Sequence, residues 1–304
     1  MKTLTHTVMA LTVTCLTLAG CQKQNNATVG NTINDMVGEI ANKAADNTDA
    51  DSADITMDKS ADITDAVTVT NAERLKYKEV KVLKTDDTGD LRVKIEMDYP
   101  ISGPQATVES VRKYIMEQIE DPFYYGANST RQKPHYTGDT NDYEALVDFY
   151  MQAWLEYLAE DRPPRGTHME TEFEIDCKAA NQRFVSYEVK LFQFMGGSHP
   201  NRTQTGMTFR AADGKRVKRF FDVVPEEVIK NGIANDVDDE EKEFVRESGL
   251  PYTAPYMSDD NEMKFVYQEN EIAPYVVGII EAEINIDDIR QYLNDEAKKL
   301  LGDN

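Results

Sequence analysis

Cysteine is nearly missing from this chain: there are three in 304 residues, Cys15, Cys21 and Cys177. Two fall within the first 21 residues, so Cys177 is left alone and no intrachain disulfide can form in the remainder. Positive charge is also scarce. Thirty-three Lys and Arg face 55 Asp and Glu, a formal net charge of −22. Nucleic acid, which requires a basic face, is thereby excluded as a partner. Apolar runs are short, and none approaches the roughly 20 residues that a transmembrane helix requires. Histidine is rare, with His6, His135, His168 and His199 scattered along the sequence. One lone cysteine and dispersed histidines lack the clustered spacing of a zinc site, so neither a metal nor a cofactor is expected. From Gln22 to Thr70 there is no Phe, Trp, Tyr, Pro or Cys. Such a stretch cannot bury enough apolar surface to offset its chain entropy, which predicts a disordered tether over residues 21–70.

The N-terminus does carry information. Lys2, the apolar stretch Val8–Leu18 and the small residues that follow have the order of a secretory signal over residues 1–20. Leu18-Ala19-Gly20-Cys21 resembles the lipobox of bacterial lipoproteins. The resemblance implies that Cys21 becomes a lipidated N-terminus held in a membrane by acyl chains such as palmitate, and several chains make a stable anchor. Gln22 follows the cysteine where Asp would redirect sorting, which by the same resemblance implies the outer membrane. The leader adds only Lys2, and residues 22–70 hold nine acidic and three basic side chains, which leaves −17 for residues 71–304. A field of that sign serves solubility, and it also attracts cationic proteins and speeds their encounter.

Past residue 71 the patterning becomes that of a folded unit. Leu91, Val93, Ile95, Met97 and Tyr99 alternate with charged residues, a half-buried strand that Pro100 should end. Leu75–Leu83 is its partner, with a phase change after Tyr77 that suggests a bulge. Residues 106–119 are amphipathic through Val108, Val111, Ile115 and Ile119. Residues 121–140 read as a loop, and a second helix starts at Asn141 as cap, with Leu146, Val147, Tyr150, Trp154 and Leu158 inward. Met169–Cys177 and Val185–Leu191 form a strand pair. Cys177 lies in the alternating run Phe173-Ile175-Cys177, as a small hydrophobe. A glycine pair, Gly196-Gly197, precedes Ser198-His199-Pro200, and Met207–Ala211 is a further strand followed by an Asp213-Gly214 hairpin turn. Helices at Pro225 and over Asp238–Ser248, strands at Met263–Tyr267 and Glu283–Ile286, and a last helix over Asp287–Leu301 complete the set. Strands and helices come in runs without βαβ alternation. The expected class is therefore α+β, a mainly antiparallel sheet with packed helices, in two halves over residues 71–195 and 196–304.

Three segments together carry a further likeness: Phe194-Met195-Gly196-Gly197-Ser198-His199-Pro200, then Asp213-Gly214-Lys215 with Phe220-Phe221-Asp222-Val223, then Phe265-Val266-Tyr267 with Ala273-Pro274-Tyr275. Their order resembles the extracellular region of RsiV-type anti-sigma factors and the paired domains of unknown function that precede the catalytic domain of PdaC-type peptidoglycan deacetylases. The resemblance covers about residues 71–301. It implies a non-enzymatic, extracytoplasmic binding or sensing module, whose partner in the anti-sigma factors is lysozyme. Within these 304 residues the lipid anchor expected at Cys21 stands where that family has a transmembrane helix.

The expected function is that of an exported, membrane-anchored binding module for lysozyme or another cationic protein. The alternatives are a peptidoglycan- or glycan-binding accessory and, further off, a cell-wall hydrolase. The residues singled out for binding are His199 and Tyr275, from the resembling segments, and the aromatic run Phe123-Tyr124-Tyr125, because loop aromatics anchor protein or sugar partners. Ser198-His199 does not read as a nucleophile–base pair, since sequence neighbours rarely meet in that geometry. The expected role of His199 in the turn is a hydrogen bond to backbone. No catalytic residue is assigned.

Overall fold

The computed structural model describes residues 74–124, 133–160, 167–258 and 261–303, except for the side chains of Phe123 and Tyr124. The proposed leader, Cys21 and the tether lie outside the described residues. A six-stranded sheet has the order β1 (Lys76–Thr85), β2 (Leu91–Ser102), β3 (Met169–Ala180), β4 (Phe184–Phe194), β5 (Asn201–Arg210), β6 (Arg216–Val217). All its neighbours are antiparallel except β2 and β3, which run parallel from Leu91↔Met169 to Met97↔Ile175. Two helices, α1 (Gln105–Glu120) and α2 (Tyr143–Glu160), form the crossover that parallel neighbours require. The α+β class with a mainly antiparallel sheet is what the strand and helix patterning predicts.

Period-2 and period-3.6 patterns meet in the first core. Val93, Ile95 and Tyr99 of β2 and Phe173 and Ile175 of β3 are at most 1% exposed and face Val111, Ile115 and Ile119 of α1 and Leu146, Tyr150, Trp154 and Leu158 of α2. Each large apolar side chain buried here contributes about 1.5–3 kcal/mol. β2 does not stop at Pro100. It runs on to Ser102, because β3 stops pairing after Met97↔Ile175 and asks no N–H of residue 100. The bulge lies between Lys76 and Tyr77, just where Tyr77 meets Pro100. Helix α2 is capped by Asp142, whose carboxylate accepts from the Ala145 N–H at 3.0 Å, and not by Asn141. Asn141 instead accepts Arg112 Nη1 at 2.8 Å, which pins the helix entry to α1.

A second, three-stranded antiparallel sheet, β7 (Tyr256–Met257), β8 (Glu262–Tyr267), β9 (Ile280–Asn285), packs with α3 (Glu226–Asp236), α4 (Lys242–Glu247), α5 (Ile286–Ile289) and α6 (Asp295–Leu301) around its own core. Gly232 of α3 lets the helix close on β9, since a Cβ there would sit 2.6 Å from Ile284 Cδ1. The helix expected over Asp287–Leu301 is broken. Leu293 is extended and bridges Phe221, and Asn294 N donates to Phe220 O at 2.8 Å. The Asn294 side chain then restarts the helix by accepting from Ala297 N at 2.9 Å. Asn294→Ala is expected to cost about 1 kcal/mol, read by urea denaturation; an unchanged midpoint would count against this cap. The helix expected over Asp238–Ser248 is confined to Lys242–Glu247, the acidic run before it curling in a turn with Lys242 N on Asp238 O. Strand β5 starts at Asn201, six residues before the apolar signal at Met207, because its first half is polar and half-covered.

Candidate partner-binding surface

Two turns meet beside the free edge of β5. One follows β4: Gly196 takes φ +74, which an L side chain rarely adopts, and swings the chain through Ser198 and His199 to Pro200. The other follows β8. Asn270 sits at φ +62, Glu271 N returns to Gln268 O at 3.0 Å, and Pro274 opens a short 3-10 turn over Tyr275–Val277 closed by Gly278 at φ +85. The rings of His199 and Tyr275 lie 4.8 Å apart, tilted by 43°. The Tyr275 hydroxyl donates to the Pro200 carbonyl at 2.8 Å. Arg202 Nη1 donates to Glu269 Oε1 at 3.0 Å, and Arg202 N donates to Glu269 Oε2 at 3.0 Å.

The same turn closes the sheet edge. Gln204 N donates to Gln268 Oε1 at 3.0 Å, and Gln268 Nε2 donates to Gln204 O at 2.7 Å, so one side-chain amide stands in for a missing strand. Behind them, burial pushes the Glu271 carboxyl up, only partly opposed by the N–H groups of Gln268 and Tyr252. On the rim, Val276 is 88% exposed and Tyr252 72%, an unusual display for large apolar side chains.

The face of the large sheet opposite the helices bears charge instead of carbon. Register sets its rows: Lys94, Glu172, Phe192 and Arg202 in one, Glu96, Glu174, Lys190 and Gln204 in the next. With Ile279 and Glu281 these enclose a groove of about 240 Å³. Arg202 lies over the Phe192 ring at 5.2 Å and so joins the groove to the His199–Tyr275 turns. Burial and the neighbouring Glu170 push the Glu172 carboxyl up. Further along the same face Glu188, 1% exposed, accepts the Tyr256 hydroxyl and Gln204 Nε2 and lies 3.1 Å from Lys178 Nζ.

Two of the five binding residues read from the sequence, His199 and Tyr275, thus come together across 75 residues of chain. His199 makes no backbone hydrogen bond among the described residues. Its ring packs on Tyr275 instead, because Gly196 and Gly197 turn it outward, away from the strand. Phe123 and Tyr124 fall in a 3-10 turn, Asp121–Tyr124, with their side chains outside the described residues, as is the whole of Tyr125. Arg202, Glu269 and Glu188 were not legible as a set. Their only signal is a period-2 run of polar residues, which also fits a solvated strand. Among the described residues no three His, Cys, Asp or Glu side chains are grouped to hold a metal ion, and no helix is long and apolar enough to cross a membrane.

Two antiparallel-rich sheets, one carrying a helical crossover, joined through turns at one end, define an α+β module whose fold recurs in solved structures. A member of the DUF3298 family from Bacteroides fragilis aligns with a TM-score of 0.56 at 17% identity, over 76% of this chain and 98% of its own. A DUF3298 family protein from Pseudomonas aeruginosa aligns with a TM-score of 0.50 at 12% identity, over 74% of this chain and 96% of its own. At such identities the likeness is one of fold, to domains of unknown function. No family model matches the sequence, and no curated protein matches it.

Proposed function

We propose that this protein is an exported lipoprotein, anchored through Cys21 in the outer membrane, whose folded part is a non-catalytic module that binds a cationic protein such as lysozyme. The observation that carries the reading is the meeting of His199 with Tyr275, at 4.8 Å between ring centroids. The glycine–His–Pro and Ala-Pro-Tyr segments are the two that most resemble the RsiV-type extracellular region. They are distant in sequence, and they form one partly exposed surface flanked by Val276. Pre-organised aromatic side chains of this kind make effective anchors because little conformational freedom is lost on binding. The charge of −17 over residues 71–304 supplies long-range attraction. Peptidoglycan or another glycan is the second reading, favoured by the Phe192 ring set among hydrogen-bonding side chains in the groove.

Calorimetric titration of lysozyme into the full-length chain, at low and at physiological salt, separates the two. A one-to-one complex that weakens as salt rises is expected, because exposed charges are screened beyond about 8 Å at physiological ionic strength. Tyr275→Ala, and separately His199→Ala, should each weaken it about tenfold, or about 1.4 kcal/mol, with the far-ultraviolet spectrum unchanged. Full affinity in the double variant would rule out this surface. Salt-insensitive binding of a neutral chito-oligosaccharide, with none of lysozyme, would favour the glycan.

A further inference from the structure

We infer that the groove on the open face of the large sheet is the pocket for a single lysine or arginine side chain projecting from the partner, with Glu174 as its counter-charge. The inference rests on the cationic-protein reading above and assigns that partner a second contact, apart from the His199–Tyr275 turns.

Charge within the groove is unbalanced. The groove's cations are already committed: Lys94 to Glu96 at 3.2 Å, Lys190 to Glu188 at 3.4 Å, Arg202 to Glu269 at 3.0 Å. Glu281 is held by Lys264 at 3.0 Å and Gln204 Nε2 at 2.7 Å. Glu174, exposed on β3, makes no ion pair or hydrogen bond among the described residues. Its cross-strand neighbours are Glu96 on one side and Lys190 on the other, and that lysine leans away toward Glu188. Like charges set directly opposite across strands destabilise a sheet, so the Glu96–Glu174 pair is a standing cost that an incoming cation would relieve. The carboxyl of Glu172 on the same strand, pushed up by burial and by Glu170, would fall again beside a cation.

Shape agrees with charge. About 240 Å³ holds one long side chain, not a protein loop. Phe192 and Ile279 line it, an apolar sleeve for a methylene stem, while the carboxylate takes the head group. A bare anion-binding or wholly apolar ligand fits neither feature.

Two probes of one shape test it: acetyl-arginine amide, and acetyl-citrulline amide, which lacks the charge. Each is titrated into the full-length chain and followed by amide chemical shifts. The arginine probe is expected to move the amides of Lys94, Glu96, Glu174 and Phe192, and the citrulline probe to leave them in place. Glu174→Gln should weaken the arginine probe about fivefold, the upper end for a partly exposed charge pair at about 1 kcal/mol. Glu243→Gln, an equal change of charge at an exposed position on α4, controls for the general field and should change nothing measurable. Equal loss in the two variants, or shifts spread over the whole acidic surface, would overturn the inference. Stronger movement of the same amides by a neutral oligosaccharide would overturn it in favour of a glycan. Lysozyme that fails to bind while arginine still maps to the groove removes the lysozyme reading alone; lysozyme that binds Glu174→Gln at full affinity, with no arginine shifts, removes the groove alone.

Discussion

Glu188→Ala is expected to lower the unfolding free energy by about 3 kcal/mol, the low end for removing one partner of a buried ion cluster. The carboxylate is 1% exposed and sits where the two sheets touch. Tyr256 of β7 donates its hydroxyl to it, Gln204 Nε2 donates at 3.0 Å, and Lys178, Lys190 and Lys264 lie 3.1, 3.4 and 3.5 Å away. Burial alone would push its carboxyl up. The Tyr256 hydroxyl and the ammonium groups of Lys264 and Lys178 outweigh burial and hold it at about 2, against an ordinary value of 4.5. Because the folded value is the depressed one, the stabilisation is fully present above the unfolded pKa and is lost as pH falls from about 5 toward about 2. The deletion leaves three partly screened lysines without their shared anion and Tyr256 without an acceptor. Glu188→Gln keeps the acceptor and loses only the charge, so it should cost less. Urea unfolding of wild type and the Gln variant at neutral pH and again near pH 2.5 is the measurement. The gap between them should close on acidification, and a gap that stays constant with pH would sink the assignment.

Gly206→Val is expected to cost about 3 kcal/mol, through overpacking, although valine suits a strand better than glycine does. Gly206 lies directly opposite Glu188 in the β4–β5 register. A Cβ at that position would stand 2.1 Å from Tyr256 Cδ1. The bare backbone lets the tyrosine ring lie flat on β5 with its hydroxyl reaching across to Glu188, and Met257 N then donates to Thr208 Oγ1 at 2.9 Å. Any side chain at 206 lifts β7 from β5 and strips both contacts at once. The check is a double-mutant cycle with Tyr256→Ala, measured by denaturant unfolding. Removing the ring should recover well over half of the valine penalty. If the penalty persists in the Tyr256→Ala background, the close approach is not its cause.

The two expectations concern residues that the sequence does not single out. Gly206 reads as one glycine in a polar run, and Glu188 as the charged position of an alternating strand. Neither periodicity nor composition distinguishes a solvated face from one covered by a second sheet. What was legible is what local physics writes directly. The alternation of Leu91–Tyr99 and the helical spacing of Leu146, Tyr150, Trp154 and Leu158 place those residues inside, at 0–2% exposure. The pairing of His199 with Tyr275 was legible only in part, through a likeness that names both segments and not their contact. The turn glycines that aim His199 are visible; the β8–β9 connection that delivers Tyr275 to it is a long-range event.

By itself the sequence determined the α+β class, the acidic field, the lack of any disulfide after residue 21 and the inward faces of the principal helices and strands, because each depends on residue type or on spacing within one element. The tertiary structure alone decided the rest. It set β2 parallel to β3, extended β5 back to Asn201, broke the last helix at Leu293, and laid Tyr256 on Gly206 over Glu188. β5 is drawn out by its own hairpin with β4, and in the other three cases a partner far along the chain outweighs local preference: the parallel register with β3, a backbone bridge to Phe221, a hydroxyl reaching a buried carboxylate. Such contacts gain their energy only once the intervening loops are closed, and no window along the sequence contains both halves of them.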